Sequence, residues 1–204
     1  MMRFMRHLIP TRVKLWLRRW IQEKQRQLKA PKMLWGYFDS SGSWRPQTRI
    51  SDTVFFYHPE RINMADNVFV WHYTILDGTG GLEIEEGVQI GAWVGIFTHS
   101  SHIAIRLYGR HYSEVPEGNK KGYPINKVKI GRYAFIGAGA KILPGASIGR
   151  GALIAAGAVV SKNVDDFQIV SGNPAEVIGD TRKLDAKYLK DPQLKEWYEE
   201  WQKN

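Results

Sequence analysis

The sequence predicts an all-β solenoid, a parallel β-helix, from three repeating features. An aliphatic residue recurs every six positions, a small residue recurs four positions after it, and glycines fall between them. From Ile130 the aliphatic series runs Ile130, Ile136, Ile142, Ile148, Ile154 and Val160 without a slip, and Ala134, Ala140, Ala146, Ala152, Ala158 and Val164 follow in register. Upstream, the same series runs through Met64, Val70 and Leu76. After a two-residue insertion around Gly78–Gly81 it resumes at Ile84, Ile90 and Ile96. A helix has a period of 3.6 and a plain strand a period of 2, so neither produces this pattern. A six-residue unit is a short strand plus a turn. Three units close a triangular coil, and coils stack at a strand spacing of about 4.8 Å. The aliphatic side chain fills the prism, while the small one sits near a corner where a larger group would strike the next coil. A Gly/Ala-rich sandwich would need strands and turns of irregular length.

Composition narrows the function classes. The 204 residues hold 29 Lys plus Arg against 20 Asp plus Glu, a net charge of +9. Hydrophobic content is 43% and the mean hydropathy is -0.37, as in a soluble globular chain. No cysteine is present, which excludes a disulfide scaffold, a thiolate zinc site and a cysteine nucleophile. The charge is unevenly placed. Residues 1–32 carry ten Lys or Arg against Glu23 alone, a net +9, and the remainder is neutral. A nucleic-acid-binding protein would carry its basic face on the folded domain itself, so none is expected as partner.

Three regions follow. Residues 1–32 form a basic N-terminal segment, and residues 33–180 form the β-helix with an extruded loop over 100–127. Residues 181–204 are helical and cap its open end. The apolar run over residues 1–10 is broken by Arg3, Arg6 and His7 and ended by Pro10, too short for a signal core or a membrane span. Thr11 then caps a helix whose apolar face holds Val13, Trp16, Leu17, Trp20, Ile21 and Leu28. Arg12, Lys14, Arg18, Arg19 and Arg26 mostly take the other face. Such a helix suits peripheral contact with an anionic membrane, and equally an arm packed on a neighbouring subunit. In the last region Asp191-Pro192 starts a helix whose apolar face is Leu194, Trp197, Tyr198 and Trp201.

The repeat run, the loop and the ending Ser171-Gly172-Asn173-Pro174-Ala175-Glu176-Val177-Ile178 resemble hexapeptide-repeat acetyltransferases over about residues 60–180. The nearest flavour is the sugar O-acetyltransferases, including galactoside and maltose acetyltransferases and those of bacterial O-antigen and capsule pathways. The resemblance implies a left-handed β-helix, a cytoplasmic homotrimer, acetyl-CoA as co-substrate and a glycan or lipid-linked sugar as acceptor, with no metal. On the membrane reading of the basic segment, the site of action is the inner face of the cytoplasmic membrane; on the packing reading, the protein is cytoplasmic. In the family a His where the loop leaves the coils takes the proton of the acceptor hydroxyl. The family count from Val94 lands on Ser101, with His99 and His102 on either side. His102 is favoured by likeness to a D-H-x-H run, and His99 is second.

An imidazole near its own pKa suits this proton transfer, and direct transfer to the hydroxyl requires no cysteine. The resemblance implies that the cofactor groove is lined by Phe135, where relatives carry a Trp, and by Gly137, Ala138, Ala156 and Gly157. Ser161 and Lys162 match a Ser/Thr-Lys pair near the adenosine. Glu176 replaces the usual basic residue after Asn-Pro-Ala, and Arg182 and Lys183 stand in for it. His72 occupies the place of an acceptor-site Asn, with Asp77 beside it. In the loop, Arg106, Tyr108, Arg110, His111 and Tyr112 suit a polar acceptor. An amino-sugar N-acetyltransferase is an alternative. A trimeric zinc hydrase of carbonic-anhydrase type, using His99, His102 and His111, is a more distant one.

Overall fold

The computed structural model describes residues 11–203. The interrupted apolar run with Arg3, Arg6, His7 and Pro10 lies outside the described residues. The chain divides into two compact units, residues 1–32 and 33–204. In the first, helix α1 spans Thr11–Lys29, so Thr11 is its first helical residue rather than its cap. The run lacks Gly and Pro and is rich in Arg, Gln, Lys and Leu, all good helix formers. No helix among the described residues is long and apolar enough to cross a membrane.

The second unit is a three-faced left-handed β-helix. The first face holds Trp44–Ser51, Phe69–Val70, Gln89–Ile90, Phe135–Ile136, Leu153–Ile154 and Gln168–Gly172. The second holds Phe55–Tyr57, Ile75–Asp77, Gly95–Ile96, Lys141–Ile142 and Val159–Val160, and the third Ile62–Met64, Leu82–Ile84, Val128–Ile130 and Ser147–Ile148. Parallel pairing from coil to coil stacks like on like. Ile50, Val70, Ile90, Ile136, Ile154 and Val170 form one inward column. Phe56, Leu76, Ile96, Ile142 and Val160 form the second, and Met64, Ile84, Ile130 and Ile148 the third. All but Phe56 are buried, as are the repeat alanines Ala134, Ala140, Ala146, Ala152 and Ala158. Each column is a continuous apolar stack, and the three together are the core.

The repeat begins earlier than the sequence count, at Ile50 and Phe56. A first insertion hid it: a single turn of 3-10 helix, Pro59–Arg61, makes the step from Phe56 to Met64 longer than six. It lies at the same corner as the Gly78–Gly81 insertion. The two are bonded, with the Gly78 N–H donating to the Tyr57 carbonyl at 2.7 Å and the Arg61 guanidinium to the Thr79 carbonyl at 2.9 Å. At both ends of the first face an antiparallel strand covers the edge, Met33–Phe38 on Trp44–Ser51 and Ala175–Asp180 on Gln168–Gly172.

The loop leaves after Ile96 and returns at Val128. It is more ordered than an extruded loop needs to be, containing helix α2 (Ala104–Tyr108) and 3-10 turns at Gly109–Glu114 and Glu117–Asn119. Its two legs pair: the Ser100 N–H donates to the Pro124 carbonyl at 3.1 Å and the Asn126 N–H to the Thr98 carbonyl at 2.8 Å. At the C-terminus, Asp180 caps α3 (Thr181–Asp185) and Asp191 caps α4 (Pro192–Lys203), as the Asp-Pro signal implies. Helix α4 braces the side of the last coils. Its Trp201 ring packs on Tyr133 and Phe167, with centroids 4.8 and 5.8 Å away, and Arg150 bonds the Gln202 carbonyl at 2.9 Å. The expected end cap is therefore a lateral brace, because its aromatic anchors lie in one corner column.

Coil stacking makes particular glycines obligatory. A Cβ on Gly149 would lie 2.4 Å from the Asp166 backbone nitrogen, whereas one on Gly118 in the loop would meet nothing within 4 Å. Gly149→Ala is expected to cost about 1–3 kcal/mol in denaturant unfolding, and Gly118→Ala less than about 0.5 kcal/mol. Equal effects from the two would refute the stacking argument.

Candidate active site

The reactive side chains gather at the second corner, between the second and third faces. Asp77 ends one second-face strand, and Thr98 and His99 follow the next one along, Gly95–Ile96. The inserted turn folds back on the carboxylate: Thr79 donates its N–H at 2.9 Å and its hydroxyl at 2.6 Å to Asp77 Oδ1. Oδ2 accepts the Thr98 N–H at 2.7 Å and lies 2.7 Å from His99 Nδ1. The Thr98 hydroxyl bonds the Asp77 carbonyl at 3.0 Å and accepts the Gly80 N–H at 2.7 Å. Gly80 is required there, since a Cβ would stand 2.8 Å from the Thr98 carbonyl oxygen and 2.9 Å from that of Asn126.

The Asp77 side chain is 2% exposed. Burial alone would raise its pKa, but hydrogen bonds from Thr79, Thr98 and His99 outweigh that and hold it down at about 2. The carboxylate therefore stays ionised at neutral pH and can only accept. In the neutral imidazole of His99 the proton is then on Nδ1, and Nε2 is the acceptor. The ring is partly exposed and flanked by two tyrosines, Tyr123 with centroids 5.8 Å apart and nearly parallel, and Tyr57 at 6.1 Å. Burial, with the nearby Glu117 charge, pushes the Tyr123 phenol up to about 12, so it stays protonated.

The buried carboxylate stands behind His99 and not behind His102. His102 is exposed, its ring bonded only to the Ser100 hydroxyl at 2.8 Å and its carbonyl held by Arg106. Asp77 is buried behind His99, which is its one contact towards the solvent-facing side of the corner. His72 lies at the first corner, with Nδ1 2.7 Å from Ser51 Oγ, because it follows a first-face strand and His99 a second-face one. One chain does not bring them together. Arg106 and the half-exposed Tyr108 lie on α2, where the Tyr108 hydroxyl accepts the Lys121 N–H at 2.9 Å. Arg110, His111 and Tyr112 occupy the following 3-10 turn, His111 bonded to Glu114 at 2.8 Å.

The residues assigned to the cofactor spread over three corners. Gly137, Ala138, Ala156 and Gly157 share the first, beside exposed Phe135. Ser161 and Lys162 lie exposed at the second. Arg182 lies at the third, its guanidinium engaged by Asp180 and set 5.0 Å over the Phe167 ring, with Lys183 exposed next to it. Gly137 also serves packing, as a Cβ there would come within 2.5 Å of the Ala156 nitrogen. Gly139 and Gly157, with φ of 75° and 73°, leave the first corner bare, and a Cβ on Gly157 would meet nothing within 4 Å. Along the same corner column, Tyr73 and Trp93 also adopt positive φ and stack with centroids 6.2 Å apart.

Sequence reasoning missed Tyr57, Tyr123, Thr79 and Thr98. The signal for the last two was the insertion itself. Tyr57 sat before the recognised repeat, and Tyr123 reaches His99 only through closure of the loop. Among the described residues no group of three or more His, Cys, Asp or Glu side chains is placed to hold a metal ion.

The family described as bacterial transferase hexapeptide (six repeats) matches residues 127–162. No curated protein sequence matches significantly. Among solved structures, a hexapeptide-repeat-containing acetyltransferase from Vibrio cholerae is similar at 22% identity and a TM-score of 0.55, covering 64% of this chain and 69% of that one. The same acetyltransferase complexed with acetyl coenzyme A gives 23% identity, a TM-score of 0.53 and coverage of 62% and 64%. A maltose O-acetyltransferase from Clostridium difficile is 27% identical with a TM-score of 0.52; the match covers 63% of this chain and 64% of its length. AntD, an N-acyltransferase from Bacillus cereus, is 23% identical with a TM-score of 0.50 in a variant bound to dTDP-4-amino-4,6-dideoxyglucose and coenzyme A, over 71% of this chain and 88% of that one. By this repeat match and by its fold, the chain is a hexapeptide-repeat protein of the left-handed β-helix type, similar to acyltransferases built on the same repeat.

Proposed function

We propose that the protein is an acetyl-CoA-dependent O-acetyltransferase that modifies a sugar hydroxyl of a bacterial surface glycan or of its lipid-linked precursor. The observation that carries this reading is the Asp77–His99 pair at 2.7 Å, with Nε2 free to accept a proton. A sugar hydroxyl is a poor nucleophile until its proton has a place to go. His99 Nε2 takes that proton, Asp77 stabilises the resulting imidazolium and fixes the ring, and His99 later gives the proton to the departing thiolate. Tyr57 and Tyr123 offer aromatic faces against which a sugar ring can lie. The likeness to solved acetyltransferases, a maltose O-acetyltransferase among them, supports the same reaction class.

The first corner fits an extended thioester arm. Gly139 and Gly157 offer uncovered backbone, Ala138 and Ala156 keep it low, and Trp93 and Phe135 stand exposed beside it at 62% and 47%. Lys162 and Lys183 are exposed cations suited to phosphate, whereas the Arg182 charge is already spent on Asp180. Acetyl-CoA bound there would supply the acetyl group. This strip and His72 lie at one corner and the Asp77–His99 pair at another, so a complete site takes a corner from each of two copies. A homotrimer supplies this arrangement three times over. Outward side chains on the two faces flanking the first corner are largely apolar, among them Phe55, Ile75 and Phe135 with Arg49, Gln89 and Lys141 as exceptions, while the third face carries the Lys127, Lys129, Glu83 and Glu85 ion pairs. The apolar faces are the ones that copies would bury against each other.

N-acylation of an amino sugar is the second reading, favoured by the likeness to AntD with its amino-sugar nucleotide. Release of free CoA from acetyl-CoA in the presence of a panel of glycans and sugar nucleotides tests both, and alkali lability of the product separates ester from amide. No acceptor-dependent release across the panel would sink the transferase reading.

Two further outcomes are expected. His99→Ala lowers turnover by roughly two orders of magnitude or more, whereas His102→Ala stays within roughly threefold; the reverse ranking in initial-rate assays would return the role to His102. Because the Asp77 pKa is depressed to about 2 from 3.8, its ionised form stabilises the fold above pH 4, and that stability is lost as pH falls towards 2. The contribution is on the order of 2 kcal/mol. Thermal melts of wild type and Asp77→Asn should therefore differ most above pH 4 and converge below it; a constant gap would contradict the ionised cage.

A further inference from the structure

Helix α1 and its charge take no part in the chemistry assigned to His99. At about 100° per residue, Trp16, Trp20, Val13, Leu17 and Ile21 fall within an arc of about 140°. All five are exposed, by 42–62%. Arg12, Arg18, Arg19 and Arg26, also exposed, occupy the rest of the circumference. Leu15 falls among the arginines, and Lys24 and Gln27 fall within the apolar arc, bonded to each other at 3.2 Å.

We infer that α1 is an interfacial docking helix for an anionic lipid bilayer. A bilayer surface satisfies both faces at once: its acyl boundary takes the apolar stripe, indole rings sit at headgroup depth, and lipid phosphates meet the arginines. Other occupants satisfy only one face. Nucleic acid would pair the arginines and leave two tryptophans, a valine, a leucine and an isoleucine in water. A second copy would bury the stripe while drawing together segments that each carry a net +9 over residues 1–32, with Glu23 as their only acid. Residues 33–204 have no net charge, so membrane attraction is confined to the first segment. If the protein is a trimer, three such helices bind with avidity, which compensates for the modest affinity of one.

The test is co-sedimentation of the full-length protein with vesicles of phosphatidylcholine alone or of an equal mixture with phosphatidylglycerol, at low and high salt. Binding to the mixed vesicles, weakened by salt and absent with phosphatidylcholine alone, is expected. Arg18→Glu/Arg19→Glu should reduce it roughly thirtyfold or more. Trp16→Ala/Trp20→Ala should reduce it roughly tenfold or more, with the oligomeric state by light scattering and CoA release on a soluble acceptor both unchanged. Absence of binding to anionic vesicles overturns the inference, as does full binding by the tryptophan variant. A tryptophan variant that dissociates into smaller species while keeping its vesicle affinity would make α1 an arm between copies. Tighter binding to duplex DNA than to vesicles, insensitive to the tryptophan changes, would make it a polyanion site.

Discussion

Everything in residues 33–204 depends on one constraint, the stacking of successive coils at the spacing of hydrogen-bonded strands. Each coil offers its backbone to the next, so identical positions lie above one another along each face. Inside, this turns scattered aliphatics into three continuous columns. At the corners it leaves so little room that Gly137 and Gly149 meet the backbone of the next coil where a Cβ would stand. The same constraint disperses function, because residues six positions apart in sequence turn onto different faces. His72 and His99 are distant for that reason.

A departure from the repeat is what builds the reactive pair. Two extra residues at Gly78–Gly81 give the chain enough length to wrap Thr79 around the Asp77 carboxylate. A strict six-residue step would have carried it straight to the third face. Thr98, one coil on, closes the cage from the other side. The carboxylate is thus desolvated yet fully hydrogen-bonded, which is how a buried charge remains a charge. Its remaining contact is His99, placed where the loop leaves the coils and partly open to solvent. The return leg brings Tyr123 against the imidazole. The corner is therefore fixed by hydrogen bonds around the carboxylate, and open to solvent at the imidazole.

Much of this was legible in the residues, unevenly so. The aliphatic and alanine series of Ile130–Val164 announce their coils, because burial there selects for size with no competing demand. Ile50 and Phe56 obey the same burial rule but were masked by the turn at Pro59–Arg61. Asp191 at the start of α4 was legible as a local capping signal, whereas the contact of Trp201 with Tyr133 and Phe167 was not, since it joins residues far apart in the chain. Counting from Val94 could not decide between His99 and His102. The choice rests on a carboxylate more than twenty positions upstream, brought adjacent by a single turn of the coil.

The sequence by itself determined the solenoid, its insertion at Gly78–Gly81, the position of the loop and the concentration of charge in residues 1–32. All of these are properties of spacing and composition along the chain. Only the tertiary structure decided which histidine has a buried carboxylate behind it, which tyrosines face it, and which bare corner lies apart from it. These are relations between coils, and they depend on how three-sided stacking converts a difference in residue number into a corner and a height. Periodicity specifies that stacking as a rule, but the two insertions and the closure of the loop set its phase at the site, and they act only once the chain has folded.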